Sequence, residues 1–544
     1  MSTSDKTAAG QDRTVIRDPG LPQSVEIYDT TLRDGSQLEG ISLTVNDKLR
    51  IAEQLDYLGV PFIEGGWPGA NPKDVEFFER AGHELRLHRS TLVAFGSTRR
   101  VKGRVDDDAT LRNLVSAGTS AACIVGKCWD YHVTEALRTT LDEGEAMVAD
   151  SVRFLSGEGL RVLFDAEHLF DGWKANPEFS LRVLEAAAEH GAETLVLCDT
   201  NGGTLPHEVE AIVKEISRHF RDDVKIGVHL HDDTGCGVAN ALAGVRAGAV
   251  QVQGTINGYG ERAGNCNLTT IIPALTLKMG VDTLPEGHLP RLTPVAHHIA
   301  ELVNLTLNPQ QPYVGMSAFA HKAGLHVSAI ARRKDAYEHV DPEAVGNGTR
   351  FVVSEMAGRA TLDAKARELG LDLDAPSITA VIDDLKRLEH DGFHFEAADG
   401  SLELLMRRHT GWRQDFFEVE SFRVIVGRND RLRADTEAIV KVVVGGERIA
   451  RVGEGNGPVN ALDDAVRQAI GDRYPQLARI HLTDFKVRVL DTAQGTGAVT
   501  RVLIDSTNGE LSWSTIGVSE NIIQASWQAL EDSLVYGLLH TDGA

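Results

Sequence analysis

Cysteine is scarce in this chain: five among 544 residues, at Cys123, Cys128, Cys198, Cys236 and Cys266, with no C-x-x-C pair. That leaves no disulfide framework, and the five read as the reduced thiols of a cytoplasmic protein. Basic charge is also short. Lys and Arg number 55 against 79 Asp and Glu, a formal net charge of −24. Such a balance argues against nucleic acid or a membrane surface as partner, while leaving room for a local basic pocket. No uncharged apolar run approaches the ~18 residues of a membrane span. The opening stretch, "MSTSDKTAAGQDRTVIRDPGLP", lacks the apolar core of a secretory signal, and residues 1–24 are expected to form a loose tail. No G-x-G-x-x-G turn follows the first expected strand, which weighs against a doubly wound open sheet.

Hydrophobic residues make up 42% of the chain, ample for a buried core, and the length fits three to four domains at about 150 residues each. Between residues 25 and 290 a short β-branched run recurs, each followed by an amphipathic stretch: "VEIYD", "PFIEGG", "TLVAFG", "AACIVG", "RVLFD", "TLVLCD", "IGVHLH" and "VQVQGT". In "TVNDKLRIAEQLDYLG", Leu49, Ile51, Leu55 and Leu58 fall near a 3.6-residue period and Gly59 marks the stop. Eight strand–helix units in this length predict a (β/α)₈ TIM barrel of α/β class. From 291 to 416 the rhythm turns helical, as a linker or lid. From 417 to 544 strands followed by a helix occur twice, which predicts a C-terminal α+β regulatory domain with two equivalent halves. This last domain carries no clustered catalytic side chains, so a regulatory or dimer-forming role fits it better than catalysis.

Polar chemistry collects at the expected C-terminal ends of the barrel strands, the face where active sites of this fold sit. In "GVHLHDDTGCG", His229 and His231 share one face of the seventh strand. Asn265 follows the eighth strand and Asp34 the first, and barrel closure makes strands seven, eight and one neighbours. Two imidazoles, a carboxylate and an amide oxygen make a mixed nitrogen–oxygen set without thiolates. It suits a divalent ion, Mg²⁺ or Mn²⁺ before Zn²⁺, that would polarise a carbonyl. Arg33, next to Asp34, could neutralise a developing alkoxide or enolate, or could form a structural ion pair with a barrel acid. Glu261, four residues before Asn265, reads best as a partner orienting Arg33 or a ligand.

"YDTTLRDGSQ", "HLHDD", "NGYGERAGNCNL" and "AFAHKAGLH" together resemble the Claisen-condensing branch of the DRE-TIM metallolyases, which includes 2-isopropylmalate, homocitrate and citramalate synthases. The likeness runs from about residue 25 to 540. "EGGWPGANPKD", "DAEHLFDGW" and "GVSENIIQASWQAL" resemble the citramalate-forming subgroup most. The resemblance implies that Asp34, His229, His231 and Asn265 hold the metal, that Arg33 meets the keto oxygen, and that Thr200 binds the carboxylate of a 2-oxo acid. It implies His326 as base or water-activating group, with Glu167 and Tyr337 assisting.

The reaction so implied joins acetyl-CoA, pyruvate and water into (R)-citramalate and CoA on the way to isoleucine. Isoleucine is the expected effector at the C-terminal domain of a cytoplasmic homodimer. Larger 2-oxo acids, as in isopropylmalate or homocitrate synthesis, are the alternative substrates. A second alternative is a metal-dependent acyl-CoA lyase. Asp232 points towards it, standing where many condensing members have Asn. The basic run "GSTRRVKGR", residues 96–104, is either a CoA phosphate contact or a solvated loop.

Overall fold

A computed structural model describes residues 18, 20–220, 224–322, 326, 329–330, 332–353, 358–428, 434–490, 495 and 497–541. Most of the expected tail lies outside the described residues, as do Ala323, Gly324 and Leu325 of the "AFAHKAGLH" motif.

Eight strands pair in parallel, in sequence order, and the first closes on the last. They are β1 (Glu26–Asp29), β2 (Phe62–Gly66), β3 (Thr91–Ser97), β4 (Ala121–Lys127), β5 (Arg161–Glu167), β6 (Ala192–Asp199), β7 (Lys225–Leu230) and β8 (Gln251–Gly254). The expected (β/α)₈ barrel is what the chain forms. Alternation along each strand divides its side chains between two layers. Ile27, Ile63, Ile124, Leu197, Val228 and Val252 belong to the large core shared with the surrounding helices. Tyr28, Phe62, Val93, Phe95, Cys123 and Leu163 form a separate cluster inside the barrel. Each helix is set by local chemistry as well as by its apolar face. Val45–Leu58, for example, opens on a reciprocal capping box between Thr44 and Asp47, and it buries Leu49, Ile51, Leu55 and Leu58.

Packing divides the chain into two compact units. One runs to Phe319 and takes back Glu338–Thr349; the other holds Ala320–Tyr337 and everything from Arg350 on. The stretch 291–416 is therefore shared between them. In the first unit, helix Leu292–Leu302 lies on helix Val45–Leu58 and buries Leu292, Val295, Ala296 and Ile299. In the second, a short parallel pair joins β9 (Ala320–His321) to β10 (Arg350–Phe351). Two three-stranded antiparallel sheets follow. The first is β11 (Glu418–Arg428), β12 (Ala434–Val444) and β13 (Glu447–Gly455), with helix Pro458–Ile470 after it. The second is β14 (His481–Val489), β15 (Thr500–Thr507) and β16 (Ser512–Ser519), with helix Ile522–His540 after it. The twice-repeated pattern is thus present in three dimensions. Ala438, Val440 and Val442 of β12 and Val502 and Ile504 of β15 meet the two helices in a common core.

Candidate active site

Period-two alternation explains the seventh strand. Val228 and Leu230 point outward to the helices, so His229 and His231 must point into the barrel mouth. Asp34 arrives from the turn after β1. Its Oδ2 lies 3.1 Å from His229 Nε2 and 3.8 Å from His231 Nε2. The Asn265 amide donates to the same oxygen at 2.9 Å. A β-bridge between His231 and Asn265 fixes the two loops against each other. Ligand atoms of Asp34, His229 and His231 all fall within 4.8 Å of one another, and all three residues are buried. Asn265 Oδ1 is buried with no partner. Two imidazole nitrogens, one carboxylate and one unpartnered amide oxygen thus fit a divalent cation.

The electrostatics agree with that reading. Burial opposes the charge of Asp34, but Arg33 and His229 hold its carboxyl far below the ordinary range. His229 is disfavoured as a cation by burial, yet its bond to Asp34 and that carboxylate's charge leave its pKa raised. Burial and the neighbouring His229 push His231 down to about 4. Behind the ligands, His229 Nδ1 lies 2.8 Å from Gln253 Oε1, and Gln253 Nε2 donates to Asp165 Oδ1 at 3.1 Å. Burial raises the Asp165 carboxyl, with His229 and Arg33 pulling the other way.

Arg33 is enclosed beside the ligands. Glu64, on β2, accepts from its Nε at 3.1 Å and from its Nη2 at 3.1 Å, and the guanidinium lies 3.9 Å from the Phe95 ring centroid. This corrects the role expected of Glu261. Glu261 is exposed and pairs with Arg262 at 3.7 Å, while Arg262 itself bonds Asp233 and the Thr200 carbonyl. The acid that orients Arg33 is Glu64. Its signal was visible as the one charge in an otherwise apolar strand, "FIEGG", which is fully buried.

Glu167 ends β5, across the barrel from β1, and is ion-paired with Lys127 at the end of β4. Thr200 follows β6, and its hydroxyl accepts the His168 amide at 2.9 Å. Asp232 Oδ1 accepts the Gly237 amide at 2.6 Å, where helix Gly237–Arg246 begins. That gives the Asp a local role in the turn. In the basic run, Arg99 is buried and salt-bridged to Glu143 at 2.7 Å and Asp150 at 2.8 Å. Its charge is spent within the fold. His326 and Tyr337 belong to the second unit, where their rings stack with centroids 4.0 Å apart; Tyr337 is 50% exposed.

A parallel barrel whose mouth gathers two histidines, a carboxylate and an amide beside a buried arginine belongs to the divalent-metal-dependent HMGL-like class. The HMGL-like family model matches residues 24–295. Two further models follow along the chain: homocitrate synthase post-HMGL domain-like over 313–392, and the LeuA allosteric (dimerisation) domain over 396–538. An (R)-citramalate synthase of Aquifex aeolicus is 49% identical over 95% of this chain and 98% of its own length. One from Streptomyces coelicolor is 53% identical over 95% and 97%. A 2-isopropylmalate synthase of Pyrococcus furiosus is 31% identical over 94% and 99%. The chain belongs to the (R)-citramalate synthase family.

Proposed function

We propose that the chain condenses acetyl-CoA with pyruvate and water to give (R)-citramalate and free CoA. The observation that carries this reading is the roughly 50% identity to (R)-citramalate synthases along almost the whole chain, in a barrel that keeps Asp34, His229, His231, Asn265 and Arg33 at one mouth.

Asp34, His229, His231 and Asn265 would hold the divalent ion, Mg²⁺ or Mn²⁺ before Zn²⁺, which supplies Lewis acidity to the keto group. Arg33, fixed by Glu64, meets the keto oxygen as negative charge grows there. The Thr200 hydroxyl donates to the pyruvate carboxylate. His326 takes a methyl proton from acetyl-CoA, and the resulting carbanion forms a bond to the keto carbon, whose oxygen then gains a proton. Water next attacks the thioester, and CoA leaves as its thiol. Glu167 and Tyr337 assist these proton transfers, whereas Glu261 stands on the rim.

In this reading residues 25–290 carry the chemistry, 291–416 form the lid, and 417–544 form the allosteric and dimerisation domain. The protein works as a cytoplasmic homodimer in isoleucine formation, with isoleucine as inhibitor. Among the described residues no helix is long and apolar enough to cross a membrane.

The test is release of CoA thiol from acetyl-CoA with pyruvate, 2-oxobutanoate, 2-oxoisovalerate or 2-oxoglutarate, each with and without chelator. Chelator-sensitive preference for pyruvate is expected. Preference for 2-oxoisovalerate or 2-oxoglutarate would move the protein to isopropylmalate or homocitrate synthesis. No release with any acceptor would favour an acyl-CoA lyase.

A further inference from the structure

The four ligand residues, Arg33 and Glu64 do not exhaust the buried polar groups of the barrel. Gln253, on β8, and Asp165, on β5, are 1% and 3% exposed and take no part in the chemistry above. A fully buried amide and a buried carboxylate are costly to place in a barrel interior unless each is satisfied. Gln253 bonds to both sides: its Oε1 lies 2.8 Å from His229 Nδ1, and its Nε2 lies 3.1 Å from Asp165 Oδ1.

The order of donors along this chain is forced from its inner end. An ionised Asp165 only accepts, so the amide nitrogen of Gln253 faces its Oδ1 at 3.1 Å. That turns the amide oxygen towards His229. An amide oxygen also only accepts, so the proton of a neutral His229 must sit on Nδ1. Nε2 is then bare: it faces Asp34 Oδ2 at 3.1 Å, and the Asn265 amide nitrogen, also 3.1 Å away, is the donor it accepts from. The second histidine has no such arrangement, since His231 Nδ1 is buried without a partner.

We propose that Gln253, oriented by Asp165, is a positioning residue that locks His229 in the Nδ1–H tautomer and so presents Nε2 to the divalent ion. The inference rests on the metal-centre reading above and adds the residues that set it. Groups that hold the non-ligating nitrogen of a metal-binding histidine fix its tautomer and ring direction, and losing one costs about 10–100-fold in metal affinity.

The full-length chain labelled with ¹⁵N-histidine, metal-free and at mildly alkaline pH, gives a direct reading of the tautomer. The His229 signals are identified by their loss in His229→Asn. We expect a protonated Nδ1 and a bare Nε2, and the reverse assignment overturns the proposal. Mn²⁺ binding, followed by the paramagnetic signal of the free ion, gives the second reading. Gln253→Leu, checked for folding by circular dichroism, is expected to weaken Mn²⁺ about 10–100-fold. Unchanged affinity in Gln253→Leu overturns the relay while leaving the metal centre intact. Failure of the parent chain to bind Mn²⁺ sinks the metal-centre reading itself. Should Gln253→Leu not fold, the tautomer of the parent chain still decides.

Discussion

A guanidinium enclosed in a barrel is sustained by what meets it. Arg33 is held on two nitrogens by Glu64, lies over Phe95, and has Asp34 alongside. Burial works against the charge, but Glu64 and Asp34 more than compensate and raise its pKa. Lysine has neither the planar fork nor the stacking face for this place. Arg33→Lys is therefore expected to lower kcat about 10²–10³-fold, with Mn²⁺ affinity nearly unchanged, measured by thiol release and by free-ion titration. Removing the acid instead leaves the guanidinium buried and unpaired. Glu64→Ala should cost about 3–5 kcal/mol of stability, read from denaturant unfolding.

Acid dependence follows from the same residues. His229 binds its proton more tightly than an ordinary histidine because of Asp34. His231 stays neutral down to about pH 4, and Asp34 stays ionised below that. As pH falls towards neutrality and below, the proton on His229 competes with the cation, while the other two ligands remain ready. Metal binding near pH 6 should thus release about one proton. Calorimetry in buffers of different ionisation enthalpy measures it, and release of none would contradict this account.

Much of this site was legible in the sequence, for a physical reason. Strand alternation placed His229 and His231 together, and barrel closure brought Asp34 and Asn265 to them. Glu64, Gln253 and Asp165 were not legible as a set. Each is a polar residue within a barrel strand, and its partner is named only by which strands face each other across the interior. Glu261 misled because closeness in sequence to Asn265 says nothing of direction. The loop that carries both residues passes through left-handed backbone at Arg262 (φ 57°) and Gly264 (φ 91°), and the Glu261 side chain ends in solvent.

At the scale of elements, the two halves of the C-terminal domain solve one packing problem in the same way. The third strand of each sheet runs directly beneath the following helix, and at one point in each it passes so close that there is no room for a side chain. A Cβ at Gly453 of β13 would lie 2.3 Å from the Ala465 nitrogen, and one at Gly517 of β16 would lie 1.9 Å from the Ala525 carbonyl oxygen. Both obstacles are helix backbone, which cannot swing aside as a flexible side chain could. Gly517→Val must therefore lift helix Ile522–His540 from its sheet and loosen Trp527, Leu530 and Leu534 in the core. Overpacking of this kind costs about 1–3 kcal/mol and occasionally more, and with backbone as the obstacle the upper end is expected in a thermal melt. In the sequence these are single glycines inside strand-like runs; that they mark close helix approach is visible only in the three-dimensional pairing.

For the whole molecule, the question is where the C-terminal domain begins. Composition places the boundary at residue 417, where strands replace helices. Packing places it earlier. Helix Asp399–Arg408 lies against β16 and helix Ile522–His540, with Ser401 Oγ donating to Asp532 at 2.7 Å and accepting the Ile516 amide at 3.1 Å. Leu402, Leu405 and Met406 of that helix are buried in the same neighbourhood. A chain cut after residue 416 keeps the helix and loses what covers it. It should aggregate or unfold over 350–416, so loss of isoleucine response in such a chain would say little about effector binding. The informative variant leaves the core whole. Every residue of β14 is exposed, with Leu482, Phe485, Val487 and Val489 open to solvent along one strand. A long apolar edge of this kind invites pairing with a second copy. A charge placed there tests that without disturbing the buried layer. If the proposed homodimer pairs through this strand, Val487→Arg shifts it to monomer in sedimentation velocity, with Mn²⁺ binding and the thermal melt of the barrel retained. If isoleucine acts through pairing of these domains, the same variant should lose inhibition by isoleucine while still releasing CoA thiol with pyruvate. A monomer that remains fully inhibited would place the effector's action within one chain.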